Sequence, residues 1–113
     1  MPDLEATAAS PDNGCGVEVV AQLVGKPGAR ADVYADTSVP RLLPLGVPQD
    51  LVNGREDKII PVRLGTDYVA AAQAKGDTAT LHLVEWTGHV ELIAPESAAW
   101  ARAKALIAAG LKK

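Results

Sequence analysis

Few side chains in this sequence can transfer a proton or attack a carbonyl near neutral pH. The 113 residues include two histidines (His82 and His89), one cysteine (Cys15) and three serines (Ser10, Ser38 and Ser97). Asp57 and His89 stand out by position. Each lies in a breaker-rich loop just after an apolar run, Asp57 in Gly54-Arg55-Glu56-Asp57 and His89 in Thr87-Gly88-His89. A carboxylate that accepts from one imidazole nitrogen fixes the tautomer. The other nitrogen is then left to take a proton from a nucleophile.

Each residue also has a plainer reading. Asp57 alone suits a turn, and His89 alone suits a loop. Glu56 competes with Asp57 as the carboxylate but comes one place earlier after Gly54. His82 sits inside a strand pattern as a packing or edge residue, and Glu91 fits either support of the histidine loop or a solvated, capping role. A metal site from His82, His89, Asp57 and Glu91 lacks ligand spacing such as H-x-x-x-H.

The elements that must position these residues follow from pattern. Residues 1–16 carry Pro2, Pro11, Asn13, Gly14 and Gly16 and read as loop, with a short helical turn near 4–9. Val17–Val24 fits a short helix or a strand. Residues 29–47 read as an irregular connection, with a short helix near 31–35 and Pro40 and Pro44 as breakers. A strand is expected within 48–54, and a helix over 62–75 entered by Pro61 and stopped by Gly76. A second strand is expected over 78–86, apolar enough for cover on both faces. The last helix spans 95–111, with Trp100, Ala103, Ile107 and Leu111 on one stripe. This order is a βαβα unit with two parallel strands. The chain divides into a lead-in segment, 1–47, and a subdomain, 48–113.

The segments Leu-Pro-Leu-Gly-Val-Pro-Gln (43–49), Leu-Val-Asn-Gly-Arg-Glu-Asp-Lys-Ile-Ile-Pro (51–61) and Gly-His-Val-Glu-Leu-Ile (88–93) together resemble the C-terminal part of an α/β-hydrolase. The esterase and prolyl-oligopeptidase-like branch is the most similar. The joint spacing carries the resemblance, since a lone Gly-His would mean little. It implies a partial α/β-hydrolase fold, with Asp57 as the triad acid and His89 as the general base. The order acid before base also matches that family. In such sheets functional groups gather at the C-terminal ends of parallel strands, where both loops would lie. Asn53 stands where family members often carry His, and the turn 85–89 is shorter than the family's usual Pro-Gly-x-Gly-His version.

The family's nucleophile lies in Gly-x-Ser-x-Gly upstream of the acid. None of Ser10, Ser38 and Ser97 has glycines two places away on each side. Cys15 has glycines at 14 and 16 instead, with no strand before it, and reads as a loop thiol. The oxyanion loop is likewise not recognisable. The expectation is a truncated serine-hydrolase-like chain of esterase or peptidase ancestry, inactive alone. The alternative is a non-enzymatic interaction module derived from such a hydrolase.

Composition bounds the rest. Hydrophobic residues make up 48% and charged residues 22%, as in ordinary globular chains, and with no Phe the core must rest on Ala, Val, Leu and Ile. The net charge of −3, with no basic stripe, argues against nucleic acid and anionic membrane as partners. One cysteine allows no internal disulfide, and no apolar run has membrane-spanning length. A cytoplasmic protein without cofactor is expected. Two parallel strands leave sheet edges open, so the expected partner is a second copy or a missing N-terminal hydrolase half.

Overall fold

The structure, a computed structural model, describes residues 3–10, 16–26 and 28–112. It is a small mixed α/β fold with two parallel strands and flanking helices. The helices are α1 (Leu4–Ala9), α2 (Gly16–Val24), α3 (Val62–Ala74) and α4 (Ala98–Gly110), and the strands are β1 (Gln49–Gly54) and β2 (Ala79–Val84). The register runs from Gln49 opposite Ala79 to Gly54 opposite Val84.

The crossover between the strands is α3. Leu64, Gly65, Tyr68 and Ala72 form its buried stripe, and Tyr68, Ala72 and Ala79 make the core against Val39, Leu43, Leu51 and Val69. Gly65 lets the helix approach the sheet, for a Cβ there would lie 3.1 Å from Leu81 Cδ1. The helix ends as its sequence indicates. Gly76 takes φ +92°, its N–H donates to Gln73 O, and the Asp77 N–H donates to Ala72 O. That pattern is a Schellman motif, which needs the left-handed residue that glycine supplies most readily.

Asp77 then fastens the segment ahead of β1. Its carboxylate accepts the Leu45 N–H (2.6 Å), the Gly46 N–H (2.9 Å) and Gln49 Nε2 (3.0 Å). The Leu45 bond foremost, with the Gly46 bond, holds Asp77 below the ordinary carboxylate range against the opposing effect of burial. Tyr68 donates its hydroxyl to Gln49 Oε1 at the same corner.

The lead-in segment resolves one open reading and departs from another. Val17–Val24, ambiguous by pattern, belongs to α2. Residues 31–35 form turns rather than a helix, and the one helical turn of this region is 3₁₀, at Val39–Leu42. The reason is local: Asp32 Oδ1 accepts the Tyr34 N–H, while Val33 O receives Thr37 Oγ1 and Arg30 Nη2. Side-chain bonds of this kind compete with the helical ladder. Arg41 then grips Glu5 through two hydrogen bonds of 2.9 and 2.8 Å, tying the 3₁₀ turn to α1.

Ser97 caps α4 by accepting the Trp100 N–H at 3.0 Å, and its own hydroxyl donates to Glu91 O. The stripe expected on α4 is covered only in part. Ala99 is buried and Trp100 and Ala103 are half-buried, but Ile107 and Leu111 are exposed. The helix packs on the β1 side of a two-stranded sheet that is too narrow to cover the whole stripe. Among the described residues no helix is long and apolar enough to cross a membrane.

Candidate active site

The parallel ladder does not stop with the strands. Past its end the Arg55 N–H donates to Val84 O (3.0 Å) and the Glu56 N–H to Thr87 O (3.0 Å). In return the Thr87 N–H donates to Glu56 Oε2 at 2.7 Å. Arg55 Nε meets Glu85 Oε1 across the same gap at 2.5 Å. The separation between partners is 30 within the sheet (Gly54 to Val84), 31 at the Glu56–Thr87 clamp and 32 at Asp57–His89. Two extra residues on the β2 side, Trp86 and Gly88, account for the two steps. Trp86 makes its step in the left-handed region at φ +54°, an unusual conformation for a bulky residue.

That stagger brings His89 Nδ1 to 2.9 Å from Asp57 Oδ2. The short 85–89 turn therefore spans the gap. Asp57's other oxygen, Oδ1, accepts the N–H groups of Ile59 (2.9 Å) and Ile60 (2.8 Å). The turn reading and the pairing reading thus each describe one oxygen of the same carboxylate. The Asp57 side chain is 0% exposed and that of His89 is 43% exposed. The acid is sealed under its own loop while the imidazole faces outward. No described residue bonds Nε2 of His89, so a ring that donates from Nδ1 offers an acceptor to solvent or to an incoming group.

Gly54 is required by this arrangement. A Cβ at that position would lie 2.2 Å from Thr87 O and 2.9 Å from Gly88 O. Gly88 lies beside Glu91, whose Oε2 would be 2.9 Å from a Cβ there, but that flexible carboxylate can move aside. Glu91 thus borders the histidine loop, and its backbone carbonyl accepts the Ser97 hydroxyl. Asn53 is buried and donates Nδ2 to Gly54 O, an internal strand-end contact.

The remaining candidates fall elsewhere. Ser38 is buried and donates to Asp3 Oδ1, Ser97 caps α4, and Ser10 accepts from Arg63. None of them bonds His89, and Cys15 lies outside the described residues. His82 pairs with Asp50 instead, Nε2 to Oδ1 at 2.7 Å, diagonally across the strands. The residues considered for a metal are thereby split: His89 pairs with Asp57, His82 pairs with Asp50, and Glu91 borders Gly88. No group of three metal-binding side chains occurs among the described residues.

The contacts not read from the sequence include the Glu56–Thr87 clamp and the Asp50–His82 pair. The second was accessible in principle. Once β1 and β2 are parallel in this register, Val52 faces His82 and Asp50 lies diagonally from it. Comparison of the chain with protein-family models, with curated proteins and with solved structures returns no match.

Proposed function

We propose that this chain supplies the acid and base of a serine-type hydrolase site of the α/β-hydrolase kind, acting on an ester or peptide bond. The observation that carries the reading is the Asp57–His89 hydrogen bond, made by a fully sealed carboxylate to an outward-facing imidazole at the ends of two adjacent parallel strands. In this reading a serine hydroxyl from outside the described residues attacks the acyl carbonyl. His89 Nε2 takes the hydroxyl proton as the bond forms and returns it to the leaving group. Asp57 holds the Nδ1–H tautomer and stabilises the imidazolium. In this reading the chain alone is expected to be inactive by the covalent route, because its sequence has no Gly-x-Ser-x-Gly elbow and no described residue is placed as an oxyanion donor.

The partner is either the hydrolase half that carries the nucleophile or a second copy of the chain. Either would use the open edges of the two-stranded sheet. Trp86, Val90 and Ile93, all exposed around His89, favour burial there rather than solvent. The same observation supports the second reading, a non-enzymatic oligomerisation module built on an inherited site.

The test is to co-express the chain with the polypeptide encoded immediately upstream and to label the pair with a fluorophosphonate. The expected label falls on a serine in Gly-x-Ser-x-Gly of that polypeptide. Its rate should drop by about a thousandfold or more in His89→Ala. An absence of label, or a labelling rate that ignores both His89→Ala and Asp57→Asn, overturns the enzymatic reading.

A further inference from the structure

We propose that Glu56 is a positioning residue for His89, acting through the Thr87 peptide to hold the imidazole in the Asp57-paired orientation. The inference rests on the reading of Asp57 and His89 as acid and base, and adds the group that decides whether they meet.

Glu56 and Thr87 are joined at two points. The Glu56 backbone donates to Thr87 O and the Glu56 carboxylate accepts from the Thr87 N–H. Both backbone polar atoms of the residue two places before His89 are therefore fixed to the residue directly before Asp57, while the Thr87 hydroxyl donates to Glu85 O. The side-chain bond is the one that sequence can change. Thr87 is buried, and no other acceptor among the described residues meets its N–H. Without Glu56 this donor is orphaned, and the turn relieves that cost by rotating toward water.

Asp57 cannot hold His89 in place by itself. Its Oδ1 is committed to Ile59 and Ile60, which leaves one bond to a half-exposed ring. A single bond of that kind is comparable in strength to the cost of keeping Trp86 left-handed in the middle of the turn. The flanking Arg55–Glu85 pair is solvated on both sides and adds little. The clamp is what offsets the strained residue. It requires the reach of a Glu or Gln side chain, and Asp is one methylene too short.

The test is ¹⁵N-resolved NMR of the His89 ring in the full chain at neutral pH, with His82→Gln used for assignment, alongside amide exchange at Thr87. The wild type should show an Nδ1–H signal on the His89 ring and a protected Thr87 amide. Glu56→Ala should lose the Nδ1–H signal and speed Thr87 exchange by about tenfold or more. Glu56→Gln should restore both. Asp57→Asn should lose the ring signal while leaving Thr87 protected. If Glu56→Ala keeps the wild-type ring signal and Thr87 protection, the clamp is overturned while the acid–base reading stands. If the wild type itself lacks the Nδ1–H signal, the pairing and both proposals fail together. If Glu56→Ala does not fold, Glu56→Asp against Glu56→Gln decides, with loss expected for Asp and retention for Gln; equal behaviour of the two refutes the clamp.

Discussion

Substituting Gly54 by alanine tests how tightly the two loops are joined. The new Cβ would lie 2.2 Å from the Thr87 carbonyl oxygen. An unstrained carbon–oxygen contact is about 3.3 Å, so the turn must retreat by about 1 Å. The Glu56 N–H to Thr87 O bond, now 3.0 Å, would then stretch to about 4 Å and cease to be a hydrogen bond. His89 rides on the same turn, and its 2.9 Å contact with Asp57 would lengthen with it. Overpacking of this kind costs about 1–3 kcal/mol, and the lost backbone bond adds about 1 kcal/mol. With a total of about 3 kcal/mol and about 4–8 °C per kcal/mol for a domain near this size, Tm should fall by about 15 °C. Calorimetry or circular-dichroism melting measures it. Gly110→Ala is the control, because a Cβ there meets nothing within 4 Å, and it should leave Tm unchanged or slightly raised. A Gly54→Ala protein that melts within about 3 °C of the wild type, with its His89 ring signal intact, would refute the close-approach argument.

Three further outcomes follow from other contacts. Asp77 is held below its ordinary pKa of 3.8 by bonds from Leu45, Gly46 and Gln49, so its contribution is complete above that value and is lost only as pH falls beneath it. The Leu45 and Gly46 amide resonances should therefore stay fixed down to about pH 4 and move below it; movement at higher pH would contradict the assignment. Ser97→Ala removes the cap of α4 and the bond to Glu91 O, for a loss of about 1 kcal/mol in denaturant titration, and an unchanged midpoint would show that the cap is not used. Light scattering at tens of micromolar should find the isolated chain self-associated through its open edges and exposed apolar residues, whereas a cooperatively melting monomer would sink that expectation.

The βαβα half of the chain was legible because each of its elements carries two independent signals. Helix α3 has Pro61 at its entry and Gly76 at its exit, and the strands carry apolar runs closed by Gly54 and by the Thr87–Gly88 turn. The lead-in was less legible. Its turns over residues 31–37 are set by Asp32, Thr37 and Arg30 side chains bonding to nearby backbone, which hydrophobic periodicity does not register. The α4 stripe failed at its end for a different reason. Periodicity states which face is apolar, but the width of the sheet decides how much of that face is covered.

The site shows where spacing stops being informative. Both histidines stand 32 positions after the aspartate they bond, His82 after Asp50 and His89 after Asp57, so separation alone cannot rank the two pairs. Their surroundings do. Asp50 is 46% exposed and pairs with His82 within the solvated part of the sheet, a geometry that any diagonal pair on parallel strands can reach. Asp57 is sealed, has one oxygen saturated by two backbone N–H groups, and turns the other toward a ring that has been moved two residues out of strand register. Reaching that arrangement took a left-handed tryptophan, a glycine with no room for a methyl group, and a glutamate clamp. An ordinary turn aspartate requires none of these, and their convergence on one imidazole is the physical ground for proposing the acid–base role for Asp57 and His89 rather than for Asp50 and His82.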